Sequence, residues 1–293
     1  MEKEIDVSVV TPSFNMLSYL ERCVASVADQ EGVQAEHLVM DGGSRDGTVE
    51  WLKRQPSLVS EVRDDSGMYD AVNRGFRRSR GQIVAHLNCD EQYLPGALMK
   101  VLDFFQRHPR IEVLFADAIV VNDKGEYLCH REALLPLKYH TWVGENLAIL
   151  TCATFFRRSV LDRDQLFFDA TVRDVGDARW IMDLIDRNVS MALLKQVTSV
   201  FTETGANMNL LPNARKEIQE LASSAPAWVR KGRPLFLVQH RVRRLLAGHY
   251  RPKALTYSLF TERSPHERVT MQVSNPTFRW IRPIPQMNAI DNA

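Results

Sequence analysis

Apolar positions along the chain fall into two alternating rhythms. Ile5 to Val10 alternates, runs apolar and stops at Thr11-Pro12-Ser13, which predicts a strand. Leu17, Leu20, Val24 and Val27 then recur at spacings of three and four, one face of a helix that Asn15 or Ser18 can cap. Leu38-Val39-Met40 predicts a short strand ending in Asp41-Gly42-Gly43-Ser44, a turn that needs glycine's freedom, and Asp46-Gly47-Thr48 opens a helix carrying Val49 and Leu52. After a polar turn at 64–67 comes a helix whose polar residues crowd its first two turns. Gly81 to Leu87 predicts a buried strand with β-branched Ile83 and Val84; it breaks off at Asn88, Asp90 and Glu91 before a Pro95-Gly96 helix start. That helix presents Leu98, Val101, Leu102 and Phe105. Val113–Ala116 reads as a strand, and Ile119–Val121 with Tyr127–Cys129 as a hairpin around Asp123-Lys124-Gly125. The alternation predicts an α/β fold with a mainly parallel central sheet and helices on both faces.

Beyond residue 150 the rhythm loosens. Thr151–Phe156, Met191–Leu194 and Thr198–Phe201 predict short strands. Asp174-Val175-Gly176-Asp177 precedes a helix with Trp180, Ile181, Leu184 and Ile185 on its buried side. The chain after Asn207 is mostly helical and polar, which divides it into a catalytic-type domain at 1–214 and a mostly helical extension at 215–293.

Composition adds an asymmetry. The net charge is +1, but residues 215–293 carry 14 Lys/Arg against 5 Asp/Glu, while residues 1–214 carry 23 against 31. A basic extension on an acidic body suggests contact with something anionic. No apolar run reaches the roughly 18 residues needed to span a bilayer, and the charged start leads straight into a strand, so neither a span nor a signal peptide is expected. Cys23, Cys89, Cys129 and Cys152 lack metal-ligand spacing and read as reduced thiols of a cytoplasmic protein.

The chemistry clusters at element ends. Asp41, Asp65 and Asp90 sit at the ends or starts of elements of one sheet, where ligands bind in open α/β folds. Asp90 and Glu91 at the mouth of a buried strand suit Mg²⁺ or Mn²⁺ holding a diphosphate, or else only cap the next helix. Neither a GxGxxG fingerprint nor a GxxxxGK[ST] loop is present. His37, His86 and Trp180 read as core residues; Trp142 could stack on an acceptor ring, and Tyr69 beside Asp65 fits either role.

Four blocks together resemble family 2 glycosyltransferases of the GT-A (Rossmann-like) fold: Val9–Asn15, Met40–Thr48, Asp65–Gly75 and Leu87–Glu91. They stand in the family's order and spacing over residues 5 to about 210. The resemblance implies a nucleotide-sugar donor, usually a UDP-sugar, with Thr11, Pro12 and Asn15 lining the nucleotide pocket. Asp41 would bind the base, Asp65 the base or ribose edge, and Asn73, Asn88 and Cys89 would fall within the substrate site. Asp90 matches the metal-binding aspartate of the DxD motif, with Asn88 and Glu91 where many members carry Asp. It further implies an inverting, metal-dependent hexosyl transfer with Mn²⁺ or Mg²⁺. The general base would be an Asp opening a second-half helix, matched by Asp177 in Gly176-Asp177-Ala178-Arg179-Trp180, with Asp174 in reserve. Thr204-Gly205-Ala206-Asn207 resembles the loop that closes over donor phosphates, and Thr151-Cys152 replaces a His-Gln pair on the acceptor side. The implied partners are the donor and a glycan or lipid-linked acceptor of bacterial-type surface polysaccharide or glycolipid assembly; separately, the basic charge of the extension suggests either peripheral contact with an anionic membrane or only the solvated face of a helix packed on the catalytic domain. An oligomer stays open, and no nucleic acid is implied. Two rivals remain: a non-catalytic sugar-nucleotide or glycan-binding scaffold, and a nucleotidyltransferase, for which Thr11–Asn15 lacks basic residues.

Overall fold

A computed structural model describes residues 4–145, 147–205, 212–251 and 253–280. The first half alternates β1 (Val7–Ser13), α1 (Leu17–Ala28), β2 (Ala35–Asp41), α2 (Thr48–Leu52), β3 (Val59–Val62), α3 (Met68–Arg78) and β4 (Ile83–His86). It continues with β5 (Gln92–Tyr93), α4 (Ala97–Arg107), β6 (Val113–Asn122), β7 (Tyr127–Arg131) and α5 (Lys138–Val143). The second half holds β8 (Thr154–Arg157), α6 (Ser159–Asp162), α7 (Gly176–Asp186) and β9 (Met191–Glu203). After it come α8 (Pro212–Ser224), α9 (Ala227–Lys231), α10 (Arg233–Leu246), β10 (Leu255–Thr261) and β11 (Ser264–Val273).

One sheet runs β3-β2-β1-β4-β8-β6-β9-β5, with β7 paired to β6. The β3–β4 half is parallel, as is the long β6–β9 pair; β8 lies antiparallel between β4 and β6. Two antiparallel steps restore direction, so β1 to β4, β6 and β9 all end on the same edge. Helices bury both faces. Val10, Met40, Val72, Phe76, Phe156 and Trp180 pack on one side; Val9, Cys23, Leu98, Phe105, Leu114 and Phe155 pack on the other. This is the mainly parallel α/β fold that the strand–helix alternation predicts.

Several boundaries differ for physical reasons. Met191–Leu194 and Thr198–Phe201 are one strand; the register shifts opposite Asp117, so a bulge carries the exposed polar pair Lys195-Gln196. The expected hairpin of Ile119–Val121 with Tyr127–Cys129 forms, but its first arm is continuous with Val113–Ala116 in the ten-residue β6. Neither Asn15 nor Ser18 caps α1: the Leu17 amide donates to the Asp46 carboxylate at 2.9 Å, so the next loop supplies the cap. Among the described residues the extension is helical only as far as Leu246 and then forms the antiparallel β10–β11 hairpin. Leu255, Tyr257 and Leu259 alternate there, and the last two are buried on β6 and β9 residues, a strand pattern that overrides the helical expectation for that stretch.

Candidate active site

The shared edge gathers the polar residues. Asp41 ends β2, Asp65 follows β3, Asn88 and Asp90 follow β4, and Glu203 ends β9. The loop after β1 lies beside that after β2: the Asn15 amide donates to Ser44 Oγ (2.8 Å), and Asn15 Oδ1 accepts from the Arg45 amide (2.8 Å). Asn15 takes a positive φ of 51° to do so, a conformation Asn tolerates better than most residues. Asp41 is fully buried, accepting from the Gly43 and Ser44 amides and from Ser44 Oγ at 2.6–3.0 Å. It shapes the turn from beneath. Thr11 is likewise buried, its hydroxyl 2.8 Å from His37 Nε2, and Pro12 is buried next to it.

The open part of this pocket is made by Phe14, Gly42 and Asp65. Phe14 is 60% exposed, although most large apolar side chains of the sheet edge are covered. A Cβ on Gly42 would come within 2.8 Å of Asp65 Oδ2 and 3.3 Å of the Phe14 ring, so glycine keeps a slot open between an aromatic face and a carboxylate. That pairing suits a flat heterocycle bearing N–H donors. Burial raises the Asp65 pKa, while the Gly67 amide (3.0 Å) and Arg74 (3.6 Å) favour its charge.

Asp90 is half-buried in a cleft with Tyr19, Arg22, Asn122, Asp123 and Thr202. Glu91 is buried beneath it, one carboxylate oxygen accepting the Asn88 amide at 2.7 Å. Burial raises both carboxyls; Glu203 adds to the effect on Asp90, and Asp90 to that on Glu91. Each carboxylate therefore disfavours the charge on the other, and Asp90 is the one of the two that faces the cleft. Among the described residues no three acidic, His or Cys side chains converge into a cage. A single carboxylate facing a cleft, with space for substrate oxygens, still fits Mg²⁺ or Mn²⁺, which keep waters and share ligands with phosphates. Asn88 Oδ1 lies 2.9 Å from His86 Nε2, and Cys89 is packed against Met16, so neither side chain points freely into the cleft. The far wall comes from the end of the chain. Gln92 and the Phe260 backbone exchange two 2.9 Å hydrogen bonds, and Arg268 holds Asp29 and the Tyr93 carbonyl.

Asp177 opens α7 with Oδ1 accepting the Ala178 amide at 2.7 Å. Burial pushes its pKa up to about 6. Behind it lies a small, mostly apolar cavity lined by His86, Ile149, Thr151, Phe168 and Trp180. Tyr69 ties this helix to the pocket: its hydroxyl accepts the Asp177 amide at 3.2 Å, and a Cβ on Gly176 would strike its ring at 2.6 Å. Tyr69 lies in the first turn of α3, directly after the Asp65–Gly67 turn. Asn73, one turn on, uses its whole amide on the Phe168 backbone, donating at 2.8 Å and accepting at 3.0 Å. The loop entering α7 is held by α8. Glu217 accepts the amides of Arg173, Asp174 and Val175 at 2.8–3.1 Å, and Asn213 bridges Asp174 and Glu217. Burial alone would raise the Glu217 pKa; the three amides and Asn213 outweigh it and hold it below the usual range.

The structure thus brings Asn15, Asp41, Asp65, Asp90 and Asp177 to one edge, with the side chains of Thr11, Asn73 and Cys89 bonded or packed within the fold beside it. Trp142 packs among Val143, Ala225 and Val229 with Lys138 over its ring, and Trp180 is buried with its indole N–H on the Leu166 carbonyl. Thr204 and Gly205 follow β9, whereas Ala206 and Asn207 lie outside the described residues. Phe14, Glu203 and Glu217 were not marked by the sequence pattern. An aromatic at a polar loop tip and a carboxylate at a strand end are signals that could have found the first two; Glu217 has no local signal.

The "Glycosyl transferase family 2" family model matches residues 8–164, more than half of the chain. The chain belongs to glycosyl transferase family 2. Its curated relatives include the putative teichuronic acid biosynthesis glycosyltransferase TuaG of Bacillus subtilis, 35% identical over 103 residues, or 33% of this chain and 41% of the relative. A PGL/p-HBAD biosynthesis glycosyltransferase of Mycobacterium tuberculosis is 31% identical over 119 residues, covering 39% and 46%. The chain thus spans less than half the length of these relatives. Among solved structures, S. aureus TarS 1–349 in complex with UDP-GlcNAc superposes with a TM-score of 0.60 at 16% identity, covering 83% of this chain and 73% of TarS. The mannosyltransferase PcManGT of Pyrobaculum calidifontis, in complex with GDP-Man and Mn²⁺, gives 0.51 at 16% identity, covering 85% and 80%. These structural likenesses establish the fold of this family 2 member.

Proposed function

We propose that the protein transfers a glycosyl group from a UDP-sugar to an acceptor hydroxyl with inversion at the anomeric carbon. The observation that carries this reading is the coupling of two half-sites: Tyr69 joins the Asp65 pocket to the N-terminus of α7, where Asp177 waits with a pKa of about 6. A carboxylate of that pKa is charged at neutral pH and basic enough to take a hydroxyl proton. The acceptor oxygen attacks the anomeric carbon, the bond from that carbon to the diphosphate oxygen breaks, UDP departs, and the acceptor proton passes to Asp177. Phe14 and Asp65 hold the base, and Asn15 with Asp41 fixes the loops around it. Asp90 would hold Mn²⁺ or Mg²⁺; when bound, such an ion supplies positive charge to the leaving diphosphate.

UDP is favoured over GDP because the better-matching structure was solved with UDP-GlcNAc. The acceptor is read as a glycan or lipid-linked intermediate of cell-surface polysaccharide or glycolipid assembly, in keeping with the relatives named for teichuronic acid and PGL biosynthesis. In this reading residues 1–214 form the catalytic domain and 215–293 an extension that braces it. The four buried free thiols suit a cytoplasmic setting. The test is a panel of UDP-, GDP- and dTDP-sugars, with binding and release of nucleotide measured with and without Mn²⁺ and acceptor glycans. Metal-dependent UDP release that needs Asp177 supports the reading; tight donor binding with no turnover on any acceptor supports the scaffold alternative.

A further inference from the structure

The most unusual surface lies away from the cleft, on α10. Its inner side packs onto α5, with Phe236 buried and His240 stacked on His140 at 3.8 Å. Its outer side carries Leu235, Val238, Val242 and Leu245 at spacings of three, four and three, followed by Leu246. These side chains face solvent: Leu235 is 68% exposed, Leu245 63% and Leu246 81%. Trp228 of α9, 57% exposed, stands at the N-terminal end of α10, its ring 4.9 Å from that of the half-exposed Tyr139 and 6.3 Å from that of Phe236. Buried amphipathic helices turn such a stripe inward; here it points out.

The segment that carries the stripe holds charge of one sign, although Glu145, just past the end of α5, pairs with its Arg233. Residues 221–261 contain eight Lys/Arg and no Asp or Glu. Lys231 and Arg241 are exposed at this surface, whereas Arg233 and Arg243 reach inward to the Val143 and Leu135 carbonyls beside α5, Arg233 also pairing with Glu145. Among the described residues no helix is long and apolar enough to cross a membrane.

We propose that the outer face of α9–α10 docks on an anionic lipid surface, with the leucines and Trp228 in the headgroup–acyl boundary and the basic residues on lipid phosphates. An exposed apolar stripe, flanking cations and half-exposed Trp and Tyr are the chemistry of an interfacial helix. A second copy of the chain fits less well, because a symmetric contact would set Lys231 and Arg241 of one copy against those of the other. The placement is useful to the site: α10 packs on α5, and α5 on α7, whose first turn carries Asp177. The inference goes beyond the transfer reaction, since lipid binding needs neither donor nor acceptor.

The experiment is sedimentation of the full chain with phosphatidylglycerol-containing and with phosphatidylcholine vesicles, at low and high salt. Binding to the anionic vesicles alone, weakened by salt, is the expected result. Leu245→Glu with Leu246→Glu should lower partition at least tenfold. Lys231→Glu with Arg241→Glu should lower it at least tenfold too, each lost cation being worth about fivefold. All four positions are exposed, and an unchanged thermal midpoint confirms that the variants fold. Equal or absent binding to the two vesicle types overturns the proposal. So does a wild-type dimer that the leucine variant dissolves while vesicle binding stays nil, which would make the stripe an interface between copies.

Discussion

Replacing Glu217 by alanine should disable the acceptor half of the reaction without touching donor binding. Glu217 is remote in sequence from every catalytic candidate, yet its carboxylate takes three consecutive amides of the loop that ends at Asp177. Removing it leaves the buried Val175 amide unpaired, at a cost of about 1–3 kcal/mol, while the amides of the more open Arg173 and Asp174 turn to water and lose about 1 kcal/mol each. The sum is about 3–5 kcal/mol; Asn213 and local relaxation should hold the observed loss near 3. For a chain of this size that lowers the thermal midpoint by about 5 °C. Because α7 starts at that loop, a shift of about 1 Å in Asp177 is expected to cost on the order of 10²-fold in acceptor kcat/KM. Titration calorimetry should find UDP affinity unchanged. Glu217→Gln, with one acceptor oxygen, should fall between wild type and alanine. The pH dependence has a definite sign. A carboxylate held below its usual pKa stabilises the fold above its unfolded pKa, and that stability is lost as pH falls through the lower folded value, so wild type and Glu217→Gln should converge in acid. Unchanged acceptor kinetics with a normal midpoint, or a parallel loss of UDP affinity, would refute this account.

Asp177→Asn should lower turnover by roughly 10²–10⁴-fold with UDP affinity preserved, and the wild-type rate should rise with pH through about 6 as the base ionises; a flat pH profile would remove Asp177 from the role. The same substitution should raise thermal stability at pH 8 by about 1–2 kcal/mol, because a raised carboxyl pKa gives stability that is complete below the unfolded value and lost as pH climbs through about 6. Asp90→Asn should cost about 10²-fold or more at limiting Mn²⁺, and wild-type activity there would exclude Asp90 as the metal ligand. Phe14→Ala should weaken UDP binding about tenfold, the low end for base–aromatic stacking on an exposed ring; equal calorimetric affinities would place the base elsewhere.

The first half of the fold was legible because it repeats a local unit. A buried strand, a polar end and an amphipathic helix can each be read within a dozen residues, and Asp41, Asp65 and Asp90 stand at those polar ends. What stayed hidden depends on partners far along the chain. β3 is an exposed edge strand whose Val59 and Val62 show no period-two pattern, so only its pairing with β2 defines it. β9 looked like two strands because its bulge places Lys195 and Gln196 in water. The sequence could not show that the Thr11 hydroxyl meets His37 or that the Asn73 amide clasps the Phe168 backbone, because both partners are remote along the chain. Glu217 could not be read at all: a glutamate on a polar helix is ordinary until the loop it clamps is known.

The two hydrogen bonds between Gln92 and Phe260 cross 168 residues of chain, and they have a consequence in time. Synthesis delivers the Asp90 loop early and its brace late. Until β10 and β11 have left the ribosome, the loop lacks the wall that Leu259 and Phe260 give it, and the Asp177 loop waits similarly for Glu217. A growing chain therefore carries both carboxylates before either loop is braced: Asp177 gains its clamp once Glu217 is made, and Asp90 gains its wall only after the hairpin to residue 273 has folded back onto the sheet.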